Sequence, residues 1–113
     1  MINTHKLGVA GEQKAVEYLQ KNGYKILERN FTTKLGEIDI IASKQNTIIF
    51  VEVKQRESLK YGYPREAITN YKAQKIRKVA QLYLKIHKLM CEKVRFDCVE
   101  ILADNITHLE NCF

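Results

Sequence analysis

Apolar positions in this chain follow two rhythms, and the switches between them mark out its elements. From about His5 to Asn22, Ala15, Val16 and Leu19 recur at helical spacing, and Gly23 supplies a C-terminal stop. Tyr24 to Phe31 reads as a first strand. A turn through Thr32-Thr33-Lys34 then leads into two runs rich in β-branched residues, Gly36-Glu37-Ile38-Asp39-Ile40-Ile41 and Ile48-Ile49-Phe50-Val51-Glu52-Val53-Lys54. The polar Lys44-Gln45-Asn46 between those runs predicts a tight hairpin. Thr69 or Asn70 caps a second helix running to about Met90, with Ile76, Val79, Ala80, Tyr83 and Met90 on its buried stripe. Gln74, Arg77, Lys78, Gln81, Lys85 and Lys88 fall on the opposite face, which is basic and solvated. Val94 to Ile101 alternates as a strand, and Ile106-Thr107-His108-Leu109 predicts a short last one. The order helix, three strands, helix, strand predicts an α/β fold, a mixed sheet flanked by helices. Its last strand-helix-strand crossover is expected to be right-handed and parallel.

The hairpin carries the candidate chemistry, because its register decides which charges meet. Side chains alternate along a strand, so Glu37, Asp39 and Ile41 share one face of the first run, opposite Ile38 and Ile40. In the second run Ile48, Phe50, Glu52 and Lys54 share a face, opposite Ile49, Val51 and Val53. With Gln45-Asn46 as the loop, Lys44 faces Thr47. Asn46 tolerates the positive φ that such a turn demands, whereas Gln45 is not a favoured partner there. Ile41 then faces Phe50, Asp39 faces Glu52, and Glu37 faces Lys54.

Two carboxylates directly opposite each other stand with Cβ atoms about 5 Å apart, and like charges there destabilise a hairpin. At an effective dielectric near 20 the repulsion is roughly 3 kcal/mol. A shared proton or an intervening cation absorbs that cost. The plain alternative is an exposed sheet edge with solvated charges, Lys54 pairing Glu37. The apolar Ile41, Ile48 and Phe50 on the same face argue for partial burial, and so for a metal site at Asp39 and Glu52. Glu12 falls on the stripe of the first helix. It either favours the positive end of that helix or leans over the sheet to join the pair.

Other candidates lie around this centre. The polar stretch from Gln55 to Pro64 borders it, and Tyr61 and Tyr63 in that stretch either stack on unpaired bases or pack against the domain. Lys72 and Lys75, near the start of the second helix, are placed to reach phosphates. His5, His87 and His108 are scattered and make no nucleophile-base pair; His108, in a terminal strand, reads as structural.

Composition narrows the partners. The chain has 113 residues, enough for one domain, and its single proline and five glycines leave no disordered linker. Nineteen Lys+Arg against thirteen Asp+Glu give a net charge of +6, which favours an anionic partner, most simply nucleic acid. Cys91, Cys98 and Cys112 lack metal-type spacing, and neither a charged-then-apolar leader nor a membrane-length apolar run appears. A reduced, cytoplasmic protein that does not enter membranes is the expectation, as a monomer or a homodimer.

Asp39 followed by Glu52-Val53-Lys54 resembles the PD-(D/E)xK nuclease signature. The whole chain is similar to the YraN-like family of small, uncharacterised bacterial proteins. The matching pieces are Gly11-Glu12, Gly23-Tyr24, Asn30-Phe31, Gly36-Glu37-Ile38-Asp39, Phe50-Val51-Glu52-Val53-Lys54, Gly62-x-Pro64-x-Glu66-Ala67, Thr69-x-x-Lys72, Phe96-Asp97 and the ending Asn111-Cys112-Phe113. Cys112 stands where relatives usually have a small residue. The resemblance implies a single restriction-endonuclease-like domain. More distantly the chain is similar to archaeal Holliday-junction resolvases, which implies a catalytic set of Glu12, Asp39, Glu52 and Lys54. On that reading Asp39, Glu52, the Val53 carbonyl and Glu12 bind magnesium or manganese, and Lys54 orients the attacking water. The substrate is expected to be DNA, branched or partly single-stranded. A catalytically inactive nucleic-acid-binding accessory module and an adaptor domain for an acidic protein are the competing readings.

Overall fold

The computed structural model describes residues 4–58, 68–89 and 93–113. Helix α1 (Thr4–Lys21) is followed by strands β1 (Lys25–Thr33), β2 (Gly36–Lys44) and β3 (Thr47–Arg56). Helix α2 (Asn70–Ile86) then leads to β4 (Lys93–Leu102) and β5 (Asn105–Leu109). The strands form one mixed sheet in the order β1-β2-β3-β4-β5. As the crossover argument requires, β3 and β4 are parallel, and every other pair is antiparallel.

The two helices cover opposite faces, and the alternation along β3 explains why both can. Ile49 and Val51 pack with Ala15, Val16 and Leu19 of α1, while Ile48 and Phe50 pack with Ile76, Val79 and Tyr83 of α2. A strand covered on both sides is buried along its middle, and each large apolar side chain removed from water there contributes roughly 1.5–3 kcal/mol. That burial carries Glu52, the next residue on the strand, down to 7% exposure. Core packing thus sets the electrostatics of the site.

The hairpin has the expected register. Gln45 and Asn46 both take positive φ, 50° and 63°, and the ladder runs from Lys44↔Thr47 to Ile40↔Val51. Gln45 therefore accepts the left-handed conformation despite not being a favoured residue for it. The ladder stops one step short of the expected Asp39–Glu52 pair. Strict alternation also fails there, because Ile38 packs with Ile41 on the α2 side and not with Ile40. Asn30, the β1 residue between the pairs Arg29↔Ile40 and Phe31↔Ile38, has φ 53°. A left-handed residue inside a strand bends it, which accounts for the lost alternation opposite.

Other boundaries shift modestly. Strand β1 runs on through Thr33, whose Oγ1 accepts the Leu35 amide at 3.0 Å in the turn. Helix α2 is capped by Thr69 as expected, but it ends at Ile86 and not near Met90. Lys88 turns left-handed at φ 57°, and the Leu89 amide folds back onto the Leu84 carbonyl at 2.8 Å, closing the helix end. Met90 lies outside the described residues. No helix among the described residues is long and apolar enough to cross a membrane.

Candidate functional site

Where β2 leaves β3, a side chain takes over from the ladder. The Val53 amide donates to Asp39 Oδ2 at 2.9 Å. In a continued register that amide would face residue 38, so the Asp39 carboxylate occupies the fork between the diverging strands. A cavity of about 510 Å³ opens beside it. Gly11 and Glu12 of α1 form one wall, and Lys72 and Lys75 of α2 form another. Between them lie Glu37 and Asp39 at the start of β2, and Glu52, Val53 and Lys54 near the end of β3.

The charges in this cavity are unevenly matched. Burial pushes the Glu52 carboxyl up to about 8, with the nearby Asp39 charge and a hydrogen bond between the two carboxyl groups adding to the effect. Glu52 therefore keeps its proton at moderate pH. Lys54 Nζ, 3.7 Å from Glu52 Oε2, offsets this in part, as does Lys72. Lys54 thus pairs with Glu52, where the register left it facing Glu37. Glu12 is also raised, first by burial and then by Asp39, against a hydrogen bond from Asn30 and the charge of Arg29. Lys72 is lowered, chiefly because its amino group lies within hydrogen-bonding reach of Lys54, then by burial; Glu52 and Asp39 oppose this.

The sequence-predicted residues Glu12, Asp39, Glu52, Val53, Lys54, Lys72 and Lys75 thus meet at one cavity. Tyr61 and Tyr63 lie outside the described residues. Among the described residues no group of three His, Cys, Asp or Glu side chains is gathered as a metal cage. What is gathered is the Asp39/Glu52 pair, with Glu12 within electrostatic reach. Such a pair, buried and mutually repelling at an open cavity, fits a magnesium-type ion, which takes one or two carboxylates and keeps its other positions for water and phosphate.

Asn30 was missed from the sequence, and Gln55 was placed only in a stretch bordering the site. Asn30 reaches Glu12 through its side chain; the available signal was an asparagine, tolerant of left-handed backbone, inside a strand. Gln55 Oε1 is buried against Gly11 and accepts no hydrogen bond among the described residues. No sequence pattern marked that contact.

A second polar cluster lies on the α1 side of the sheet. Asp97, fully buried, accepts from Arg95 Nε at 2.9 and 3.1 Å, from Arg95 Nη2 at 2.8 Å and from the Asn111 amide at 3.1 Å. His108 Nε2 stands 2.7 Å from the same carboxylate. Burial alone would raise this acid, but His108, Arg95 and Asn111 outweigh it and hold it below the usual carboxylate range. His108 is structural, as its place in a terminal strand suggested.

Comparison with known proteins finds relatives over nearly the whole chain. The profile of the Uncharacterised protein family UPF0102 matches residues 11–101. A UPF0102 protein of Persephonella marina is 51% identical over 106 residues, covering 94% of this chain and 91% of that protein. One from Caldicellulosiruptor saccharolyticus is 54% identical over 100 residues, covering 88% and 85%. One from Fusobacterium nucleatum is 47% identical over 110 residues, covering 97% and 92%.

Proposed function

The chain belongs to the uncharacterised protein family UPF0102, and on that premise we propose that it is a magnesium- or manganese-dependent nuclease acting on branched or single-stranded DNA. The observation that carries this reading is the buried Asp39/Glu52 pair with Lys54 beside it, at the wall of an open cavity. The resemblance to PD-(D/E)xK nucleases, which implies a catalytic set of Glu12, Asp39, Glu52 and Lys54, supports it, since all four line one cavity.

Asp39 and Glu52 hold the metal in this reading, helped by the Val53 carbonyl and by Glu12, directly or through water. Bound by these residues, such an ion would supply polarisation of the phosphodiester and compensation for the charge that develops on it. The chain's own groups do the rest. The Val53 amide pins Asp39, so the carboxylate meets its ligand in a fixed orientation. Lys54, mostly buried and fixed beside Glu52, orients the attacking water. The helix α2 bears Lys72, Lys75, Arg77, Lys78 and Lys85 and no acidic residue, which suits a polyanion running past the cavity.

The test is incubation with duplex, single-stranded and four-way-junction DNA, with magnesium or manganese present. Wild type is expected to cleave at least one of them. Lys54→Ala is expected to abolish cleavage with DNA affinity nearly unchanged, since one basic group of many is lost. Wild-type cleavage by Lys54→Ala removes that residue from the chemistry. Failure of wild type on every substrate overturns the nuclease reading in favour of the accessory module.

A further inference from the structure

Lys54 and Lys72 come from different elements, the end of β3 and the first turn of α2, yet both line the cavity that also holds Asp39 and Glu52. Their placement is built in. Thr69 Oγ1 accepts the Lys72 amide at 3.2 Å, Ala73 and Ile76 are buried in the core, and Lys54 is confined beside Glu52 with its side chain only 17% exposed. Two ammonium groups held together repel, and the nearest carboxylate, Glu52, is itself engaged with Asp39. Such a pair becomes favourable when one anion bridges both cations.

The cavity thus presents an acidic pair from β2 and β3 beside a basic pair from β3 and α2. That pattern is complementary to a phosphate that carries its own cation. Lys75, one turn further along α2, differs: it stands 4.7 Å over the Tyr71 ring, an exposed aromatic at the start of the helix.

We infer that Lys72 is a catalytic residue of this site: with Lys54 it seats the non-bridging oxygens of the scissile phosphate, which enters between the end of β3 and the first turn of α2. The inference rests on the nuclease reading for its catalytic half, while the phosphate seat stands on the paired lysines alone. Lys75 then contacts a neighbouring phosphate, outside the reacting group.

The experiment has two arms. In the first, metal-free protein is titrated calorimetrically with inorganic phosphate and with thymidine 5′-monophosphate. Wild type and Lys72→Arg are expected to bind both. Lys72→Ala is expected to lose about tenfold in affinity, the worth of one charge-assisted hydrogen bond, and Lys75→Ala to lose little. In the second arm, with magnesium, Lys72→Ala is expected to lower kcat by on the order of 100-fold, the cost of one transition-state donor. Lys75→Ala should raise KM instead. If wild type cleaves DNA and Lys72→Ala matches it in both arms, the inference falls while the nuclease reading stands. If wild type cleaves nothing, the nuclease reading falls, and the first arm decides alone. There, equal phosphate affinity in wild type and Lys72→Ala overturns the seat, and a tenfold loss upholds it.

Discussion

Asp97 on β4 and Glu52 on β3 are both buried acids on neighbouring strands, and the protein treats them in opposite ways. Asp97 faces the α1 side and is surrounded by an arginine fork, a histidine and a backbone amide, so its charge is matched and its carboxyl is held low. Glu52 faces an open cavity with a second carboxylate against it and a lysine at 3.7 Å, and its carboxyl is pushed up. Burial penalises both alike; the neighbours decide the outcome. Matched charge in a closed pocket stabilises a fold. Unmatched charge at the wall of a cavity costs stability.

The sharpest way to break this contrast is to remove one acid from each cluster. Asp97→Ala leaves Arg95 and His108 without their shared partner. Losing one member of a buried ion pair costs roughly 3–5 kcal/mol. For a domain of this size each kcal/mol is worth roughly 4 °C of melting temperature or more. Asp39→Asn keeps an oxygen for the Val53 amide and removes the repulsion with Glu52, so metal-free protein should melt at or above wild type. Millimolar magnesium or manganese should raise the melting temperature of wild type and do little for Asp39→Asn. Equal losses in the two variants, with no metal shift in either, would make both clusters architecture.

How much of this was legible beforehand follows the same division. Alternation along β3 and the helical stripes reported the two faces of the sheet, because burial writes itself into periodicity. The Gln45-Asn46 turn fixed the hairpin register down to Ile40↔Val51. The divergence just beyond was hidden, since it depends on one backbone dihedral at Asn30 and one side-chain bond from Asp39 to the Val53 amide. Neither leaves a repeating signal. The Asp97 cluster was equally hidden: Arg95, Asp97 and His108 are joined across two strands, and their separate residue types said nothing about a shared carboxylate. The meeting of Asp39, Glu52 and Lys54 at one cavity was legible because they lie on one hairpin. Lys72's approach to Lys54, made across the sheet-helix junction, was not.

A smaller effect, readable by pH alone, sharpens the contrast. Glu52 is raised in the folded protein to about 8 from the ordinary 4.5. Its contribution to stability is therefore fully present below about pH 4.5 and lost as pH rises through about 8, where the folded state must give up the proton. Asp97 is lowered, so its contribution is present above its ordinary value and lost as pH falls. Denaturant unfolding of metal-free protein should show stability declining by on the order of 2 kcal/mol between pH 5 and 8. Glu52→Gln should flatten that decline and leave the acid limb untouched. A wild-type profile already flat over this range would mean that Glu52 does not hold its proton in the folded state.

The smallest expected change in stability comes from Gly11→Ala, and it asks whether the α1 wall of the cavity belongs to the site or to the scaffold. Gly11 sits inside α1, where alanine is worth about 1 kcal/mol more than glycine. A Cβ built there meets Gln55 Oε1 and lies 3.3 Å from Gln55 Cδ. Those atoms are the far end of a flexible side chain, and Oε1 has no hydrogen bond to lose among the described residues. Gln55 therefore rotates away, and as a lining residue of the cavity it moves into the space beside Lys54. Melting temperature should stay level or rise slightly, while DNA cleavage with magnesium falls. The double variant Gly11→Ala/Gln55→Ala clears the space again and should recover cleavage. A melting temperature that drops as far as that of Asp97→Ala would instead show that the close approach of α1 to β3 at Gly11 is structural. The acids of the cavity would then be backed by a scaffold as tightly fitted as the one around Asp97.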